Sequence, residues 1–195
     1  MNIFKEKIIL ESETILLRPL LREDITFFKD IALNPDLWKF YPTKISNDNE
    51  LKDWVDQTLL LREKNERIPF TIIDKNNNVV MGSTSYLNIS DKDKRLEIGA
   101  TWLGKNYQGT GVNKICKFLL LHFAFEVLNF ERVELKTDVL NQQSRKAILK
   151  IGAVEEGVLR SHTLMHDGRR RDTIYYSILK SEWDYVKKSI FKEYC

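Results

Sequence analysis

Residues 96–102 (Leu-Glu-Ile-Gly-Ala-Thr-Trp) place one acidic side chain inside a short apolar run, and residues 108–113 (Gln-Gly-Thr-Gly-Val-Asn) follow as a glycine-rich turn opening into an amphipathic segment. The order matters chemically. A turn holding Gly109 and Gly111 presents bare backbone N–H groups at a helix N-terminus, where they and the helix dipole can seat phosphate oxygens. Glu97, on the strand just before, stands where a phosphate-bearing ligand would place its reactive end. The stretch implies a nucleotide-type cofactor and a base in one site.

The rest of the chain must position these groups. A first strand is expected over residues 14–19, then a helix from about Asp24, acting as N-cap, to Ala32. Asn34 and Pro35 break it. An aromatic segment with Leu37, Trp38, Phe40 and Tyr41 leads to a second helix. Its start is signalled by Asn47 with Glu50 three residues on, and Leu51, Trp54, Val55, Thr58 and Leu59 share one face. Residues 69–74 and 79–87 read as strands joined through the polar turn at 75–78. After the strand of Glu97 and the glycine turn comes a long helix with Val112, Ile115, Cys116, Leu119, Leu120, Phe123 and Val127 at helical spacing. Strict alternation over 133–139 marks another strand. A short helix at about 141–150 is stopped by Gly152, and strands at 154–164 and 171–178 form a hairpin around Asp167 and Gly168. A last helix begins near Ser181. The pattern predicts an α/β fold, a mixed sheet flanked by helices, whose strand order the sequence leaves open.

Composition narrows the classes. At 195 residues with 43% hydrophobic content, the chain is long enough for one well-packed domain, taken as residues 1–195, and too short for two comfortable ones. A net charge of +3 against 30% charged residues argues against a nucleic-acid binder. Cys116 and Cys195 lie too far apart for a disulfide framework or a zinc site and suit a reducing compartment. No apolar run reaches the roughly 18 residues of a membrane span, and the first residues do not read as a signal peptide. A cytoplasmic protein with no membrane association is the expectation.

Three phosphate-binding motifs compete for the turn. Gly104 and Gly109 have Walker spacing, but Thr110 stands where a Walker lysine must be. A dinucleotide fingerprint needs a third glycine where Lys114 lies. The pattern Gln108-Gly109-Thr110-Gly111-Val112-Asn113 instead resembles the acetyl-CoA pyrophosphate loop of the GNAT acetyltransferase superfamily. Asn141-Gln142-Gln143-Ser144 and Gly152-Ala153 stand where that superfamily has its second cofactor motif. Residues 156–160 and the stretch from Asp167 to Trp183 look like the branch of ribosomal-protein N-terminal (alanine or serine) acetyltransferases. The resemblance runs from Leu16 to Trp183. It implies a GNAT fold with a central mixed, mostly antiparallel sheet flanked by helices, with acetyl-CoA as cosubstrate and no metal. Asn113 departs from the pattern, because most relatives carry Gly or Ala there.

The resemblance also assigns roles. Glu97 becomes the base near the amine, acting through a water; acetyl transfer needs a neutral amine, and alkyl amines titrate near about 10.4 and peptide α-amines near about 8. The alternative is a surface carboxylate on a strand edge. Backbone at Thr101, Trp102 and Leu103 would hold the oxyanion, with Trp102 and Leu103 also pairing the pantetheine arm. Gln108 opens the loop, and the N–H groups of Gly109, Thr110, Gly111, Val112 and Asn113 would seat the pyrophosphate, with the Asn141 amide on the far side of the arm. Many members use a tyrosine to protonate the thiolate; Ile148 matches that position here. Ser144 takes the role in the ribosomal-protein branch, the plain alternative being an ordinary first-turn residue. Trp38, Phe40 and Tyr41 form either a substrate wall or core packing.

Other residues read more simply. His122 is a core or boundary histidine, His162 and His166 lack metal-ligand placement, and Cys116 is an inert buried thiol. Arg169, Arg170 and Arg171 read as a mostly solvated hairpin tip, the functional alternatives being contact with an acidic substrate or with RNA. The sequence therefore reads as an acetyl-CoA-dependent N-acetyltransferase acting on a protein N-terminus, a ribosomal protein among them, or on a small amine, by direct transfer in a ternary complex. The alternatives are a non-catalytic acyl-CoA-binding regulatory module and an RNA- or ribosome-associated protein using residues 169–171 with Lys187 and Lys188. A monomer or a homodimer closed by the last hairpin are both open.

Overall fold

Two-residue alternation sorts strand side chains onto opposite faces of a sheet, and the computed structural model, which describes residues 3–194, shows where each alternation leads. In chain order the first half comprises β1 (Leu10–Glu11), β2 (Ile15–Pro19), α1 (Ile25–Ala32), α2 (Asp48–Glu63), β3 (Arg67–Asp74), β4 (Val79–Ser90) and β5 (Arg95–Leu103). The second half comprises α3 (Val112–His122), β6 (Arg132–Asp138), α4 (Gln142–Lys150), β7 (Val154–Leu164), β8 (Arg170–Leu179) and α5 (Lys180–Ile190). These strands form an eight-stranded sheet in the order β1-β2-β3-β4-β5-β6-β8-β7. Neighbours are antiparallel except β5 and β6, which run parallel. The predicted mixed, mostly antiparallel sheet is what forms; β1 is the strand the sequence reading missed.

One face is apolar along much of its width. Ile68, Phe70, Ile72, Tyr86, Leu96, Ile98, Val133, Leu135, Ile174 and Ile178 pack with Cys116 and Leu120 of α3, Ile148 of α4 and Trp183 of α5. On the other face Ile73, Val80 and Trp102 pack with Phe28, Leu51 and Val55 from α1 and α2 and with Trp38 between those helices. Further along that second face the alternation brings up polar residues instead: Glu97, Glu134 and Ser177 in one register row, and Lys136 beside Tyr175 in the next. The fold thus buries one half of this face and leaves the other half polar.

Local signals explain most boundaries. Asn47 caps α2 by accepting from the Glu50 N–H at 3.0 Å, while the Glu50 carboxylate takes the Ser46 N–H at 2.7 Å. Gly152 ends the α4 segment at φ +86°, and a Cβ there would lie 2.8 Å from Ile190 Cδ1.

Two expectations are corrected. Asp24 stands at the N-cap position of α1 but its side chain does not cap the helix: its buried carboxylate accepts from Arg18, from the Leu21 N–H and from Thr71 Oγ1, so the sheet claims it before the helix can. The apolar stripe of α3 does not run on to Val127. The chain passes into a π-helical turn over Phe123–Val127, which rotates Ala124 and Phe125 inward and leaves Val127 53% exposed. Cys195 lies outside the described residues.

Asp24→Asn removes the charge that anchors Arg18 and Thr71 to one buried point. Urea denaturation should show a loss of about 3 kcal/mol, in the range for breaking a buried pair, at an unchanged m-value.

Candidate active site

The site begins where two strands part. β5 and β6 pair only through residues 95–97 and 132–134, whereas β5 stays paired to β4 as far as Leu103. Beyond Glu97 the β6-facing edge of β5 therefore has no strand partner. A bulge helps set this course: Ala100 and Thr101 occupy the register opposite Thr84 alone, and Ala100 takes φ +47°. An extra residue bends a strand and adds twist. Thr101 is tied from three directions. Its hydroxyl lies 2.7 Å from Thr84 Oγ1 and accepts from Lys117 Nζ at 2.8 Å, and its carbonyl accepts from the Tyr41 hydroxyl.

The glycine turn follows the end of the same strand. The Gln108 side-chain amide donates to the Leu103 carbonyl at 2.9 Å, and the Thr110 hydroxyl donates to the Tyr107 carbonyl at 2.8 Å. Gly109 and Gly111 sit at φ +76° and +94° with open space where a Cβ would be, so conformation rather than room demands glycine at both. Among the described residues the N–H groups of 109–113 have no protein acceptor. They open an 11-residue helix, which fits a phosphate-bearing ligand. Asn113 is the second residue of α3 and half-buried.

The start of α4 lies against this turn, with Gln143 Nε2 at 3.4 Å from Gln108 Oε1. Asn141 caps α4 by accepting from the Ser144 N–H at 3.0 Å, so its carbonyl oxygen is committed to the helix and its NH₂ is the end left for a ligand. Ser144 is half-buried in the first turn. Ile148 is core.

Glu97 is the last β5 residue paired to β6, and it is buried on the polar face of the sheet. Asn88 Nδ2 donates to its Oε2 at 2.7 Å, and Lys136 Nζ lies 2.9 Å from the same oxygen. A Cβ on Gly99 would fall 2.6 Å from Oε1, so the missing side chain at 99 makes the space the carboxylate fills. The surface-carboxylate alternative is thereby removed.

Of the aromatic segment, Trp38 is core, packed edge-on to Trp102 at 5.6 Å and donating to the Ala32 carbonyl at 2.7 Å. Tyr41 reaches the bulge, its hydroxyl held protonated by burial, which raises its pKa. Phe40 is half-buried beside Lys39.

The arginine cluster is a correction. Arg171 is 8% exposed and donates to Thr173 Oγ1 at 3.1 Å; Arg169 is ion-paired with the buried carboxylate of Asp138; Arg170 donates to the Ser161 carbonyl. Strand β8 carries only Arg171 inward; Arg169, half-buried, and Arg170, exposed, stay at the hairpin tip but each holds a partner, and Lys187 is likewise engaged with Glu126. His166 Nε2 lies 3.3 Å from the Trp38 carbonyl, joining the hairpin tip to the segment between α1 and α2. His162 sits 3.1 Å from Thr173 Oγ1, and His122 is a boundary residue 3.0 Å from Glu126. Among the described residues no three His, Cys, Asp or Glu side chains converge as a metal site, and no helix is long and apolar enough to cross a membrane. Cys116 is fully buried, its thiol pushed up to about 12 by desolvation.

Comparison with known proteins places this geometry. The model of the Acetyltransferase (GNAT) domain matches residues 14–154. The chain belongs to the GNAT acetyltransferase family. Over 103 residues this GNAT chain is 36% identical to "Putative ribosomal N-acetyltransferase YdaF" of Bacillus subtilis, a match spanning 53% of this chain and 55% of that one. It is 24% identical over 142 residues to the ribosomal-protein-serine acetyltransferase of Escherichia coli, covering 73% of this chain and 78% of that one. Its backbone superposes with TM-score 0.87 on a GCN5-related N-acetyltransferase from Brucella melitensis, 25% identical, over 97% of this chain and 86% of that one.

Sequence reasoning missed two buried cations of this GNAT site, because each sits in a segment whose period marks it as core. Arg67 opens β3. Lys117 lies inside α3, fully desolvated, and burial lowers its pKa to about 8. A base whose folded pKa falls below its unfolded value destabilises the fold while it is charged, and stability recovers as pH rises from about 8 towards the ordinary lysine value. Lys117→Met should therefore raise the melting temperature at pH 7. That gain should shrink between pH 8 and 10.5, as scanning calorimetry across pH would show. Gly99→Ala should push the Glu97 carboxylate aside and lower turnover roughly 100-fold, the scale of a small misplacement, with acetyl-CoA affinity measured by calorimetry unchanged.

Proposed function

We propose that this GNAT protein, acting as a single domain in the cytosol, transfers an acetyl group from acetyl-CoA to a primary amine by direct attack in a ternary complex. The observation that carries this reading is the juxtaposition along one strand: a buried carboxylate where β5 leaves β6, and unbonded N–H groups opening α3 just past its end. Acetyl-CoA, when bound, supplies the acetyl group as a thioester. The N–H groups of 109–113 would hold its pyrophosphate, and the free edge of β5 at Trp102 and Leu103, with the Asn141 NH₂, would hold its arm.

The chain's own residues then divide the work. Glu97 takes a proton from the attacking amine, through a water, and Asn88 and Lys136 keep its carboxylate oriented. Backbone N–H groups at 101–103 meet the negative charge that develops on the carbonyl oxygen, and the tied bulge keeps them from drifting. Ser144, at the start of α4, returns a proton to the departing thiolate. The acceptor is a protein N-terminus, in keeping with the ribosomal-protein-serine acetyltransferase among its relatives, or a small amine. The retained Glu97 speaks against a purely binding module, and the engaged arginines 169 and 171 of the last hairpin speak against an RNA-binding role.

Titration calorimetry with acetyl-CoA tests the cofactor half. Wild type should bind, and Gly111→Val should bind at least roughly 10-fold more weakly, because a β-branched residue at φ +94° costs about 1–3 kcal/mol. Absence of binding to wild type removes the reading. Glu97→Gln tests the catalytic half: kcat should fall about 10²–10⁴-fold with acetyl-CoA affinity retained, and Ser144→Ala should cost less.

A further inference from the structure

Buried charges in folded proteins are normally paired or hold a ligand. On the polar face near Glu97 this balance is uneven. Lys136 is paired with Glu97, and Arg169 with Asp138. Among the described residues, Arg67 and Arg171 have no carboxylate within ion-pair distance, although both are more than nine-tenths buried.

Arg67 is the more telling. Its Nε donates to Ser85 Oγ at 2.8 Å and its Nη1 to Thr58 Oγ1 at 3.3 Å, but buried Nη2 makes no hydrogen bond. The Trp54 ring, 5.6 Å away, covers the guanidinium without satisfying that nitrogen. Desolvation lowers its pKa to about 10, so the charge is retained at neutral pH.

The position of this cation relative to the base is set by strand register. Arg67 pairs with Leu87, and Leu87 pairs with Glu97, so the two lie in one row of the sheet, two strand spacings or about 10 Å apart at Cα. Arg67 reaches across to Ser85, the register neighbour of Gly99. A cavity of about 330 Å³ opens at this row, its lining including Leu61, Glu66, Arg67, Leu87 and Asn88. Asn88 is the residue that holds Glu97 at 2.7 Å. The cavity thus runs beside Arg67, whose unpartnered Nη2 lies buried behind its wall, and beside the residue orienting the base.

We propose that Arg67, seconded by Arg171, anchors a carboxylate carried by the acceptor, so that the acceptors of this enzyme are amines bearing a carboxylate a few bonds away. The inference rests on the acetyl-transfer reading above. A guanidinium fork matches a carboxylate in two-point geometry. The carboxylates of Glu97 and Asp138 already face Lys136, Arg169 and Arg171, so the cation left for an acidic amine to neutralise is Arg67. Two sources share this chemistry: a free amino acid, and a peptide N-terminus with Asp or Glu at its first or second residue.

The test is a thiol-release assay with matched acceptors. One arm compares glycine, β-alanine and 4-aminobutyrate with their amides. The other compares amidated peptides beginning Ser-Glu or Glu-Ser with Ser-Gln or Gln-Ser. Wild type should favour the carboxylate member by roughly 10–100-fold in kcat/KM in at least one arm, the scale of a hydrogen bond to a charged group; the arm that responds identifies the source. Arg67→Met should abolish that preference and Arg67→Lys restore part of it, with acetyl-CoA affinity unchanged throughout. Should Arg67→Met not fold, Arg67→Lys and Arg171→Gln must each reduce the preference. Equal use of carboxylate and amide by wild type overturns the proposal, as does a preference that survives in Arg67→Met. So does acetyl-CoA binding without turnover of any carboxylate acceptor, which leaves the cofactor reading standing. Failure of wild type to bind acetyl-CoA removes the acetyl-transfer reading itself, and the anchor with it.

Discussion

Everything at the site depends on one departure from regular pairing, the separation of β5 from β6 after Glu97. Parallel neighbours held by a full ladder would leave no room between them and no unpaired edge. The bulge at Ala100 and Thr101 turns the strand away, and it persists because Thr84, Lys117 and Tyr41 each hold Thr101 from a different element. The backbone strain at Ala100, where φ is +47°, is supported by three ties that converge on the next residue. Helix α3 then starts where the diverted strand ends, and its free N–H groups inherit their direction from that path.

Electrostatics follows from the same geometry. Opening the sheet brings polar alternation positions inward on a face that α1 and α2 cover only in part, so charged groups end up desolvated rather than solvated. Lys117 illustrates the cost: it fixes the bulge by hydrogen bonding, yet its charge is disfavoured where it sits. Asp24 shows the other solution, a buried carboxylate with three separate partners sharing one charge. The chain accepts some local destabilisation to keep the site in one arrangement.

Much of this was legible in the sequence, for identifiable reasons. Strands with strict alternation, such as 133–139, and helices with strong caps, such as Asn47 and Gly152, declare themselves locally. The glycine turn is readable because two glycines at left-handed φ leave a signature no other residue would. What was not legible depends on register between distant segments. Nothing near Asp24 announces Arg18 and Thr71 as its partners, and nothing near residues 169–171 announces that β8 will carry Arg171 into the interior. Arg67 and Lys117 were hidden for a related reason: a cation inside an apolar period reads as a surface interruption until the fold shows which way it points. The π-helical turn after His122 is a change of period that a stripe of apolar residues cannot display.

The space left by Gly99 carries an evolutionary corollary. Positions 97 and 99 compete for one volume, since the carboxylate oxygen of one lies 2.6 Å from where the other's β-carbon would be, with Leu87 Cδ1 at 2.9 Å. Their tolerance to change is therefore epistatic. A lineage carrying Asp at 97 has a carboxylate drawn back by one methylene and gains freedom to enlarge residue 99, while a lineage keeping Glu at 97 is locked to glycine two residues on. Covariation between these two positions would be the trace of that shared volume.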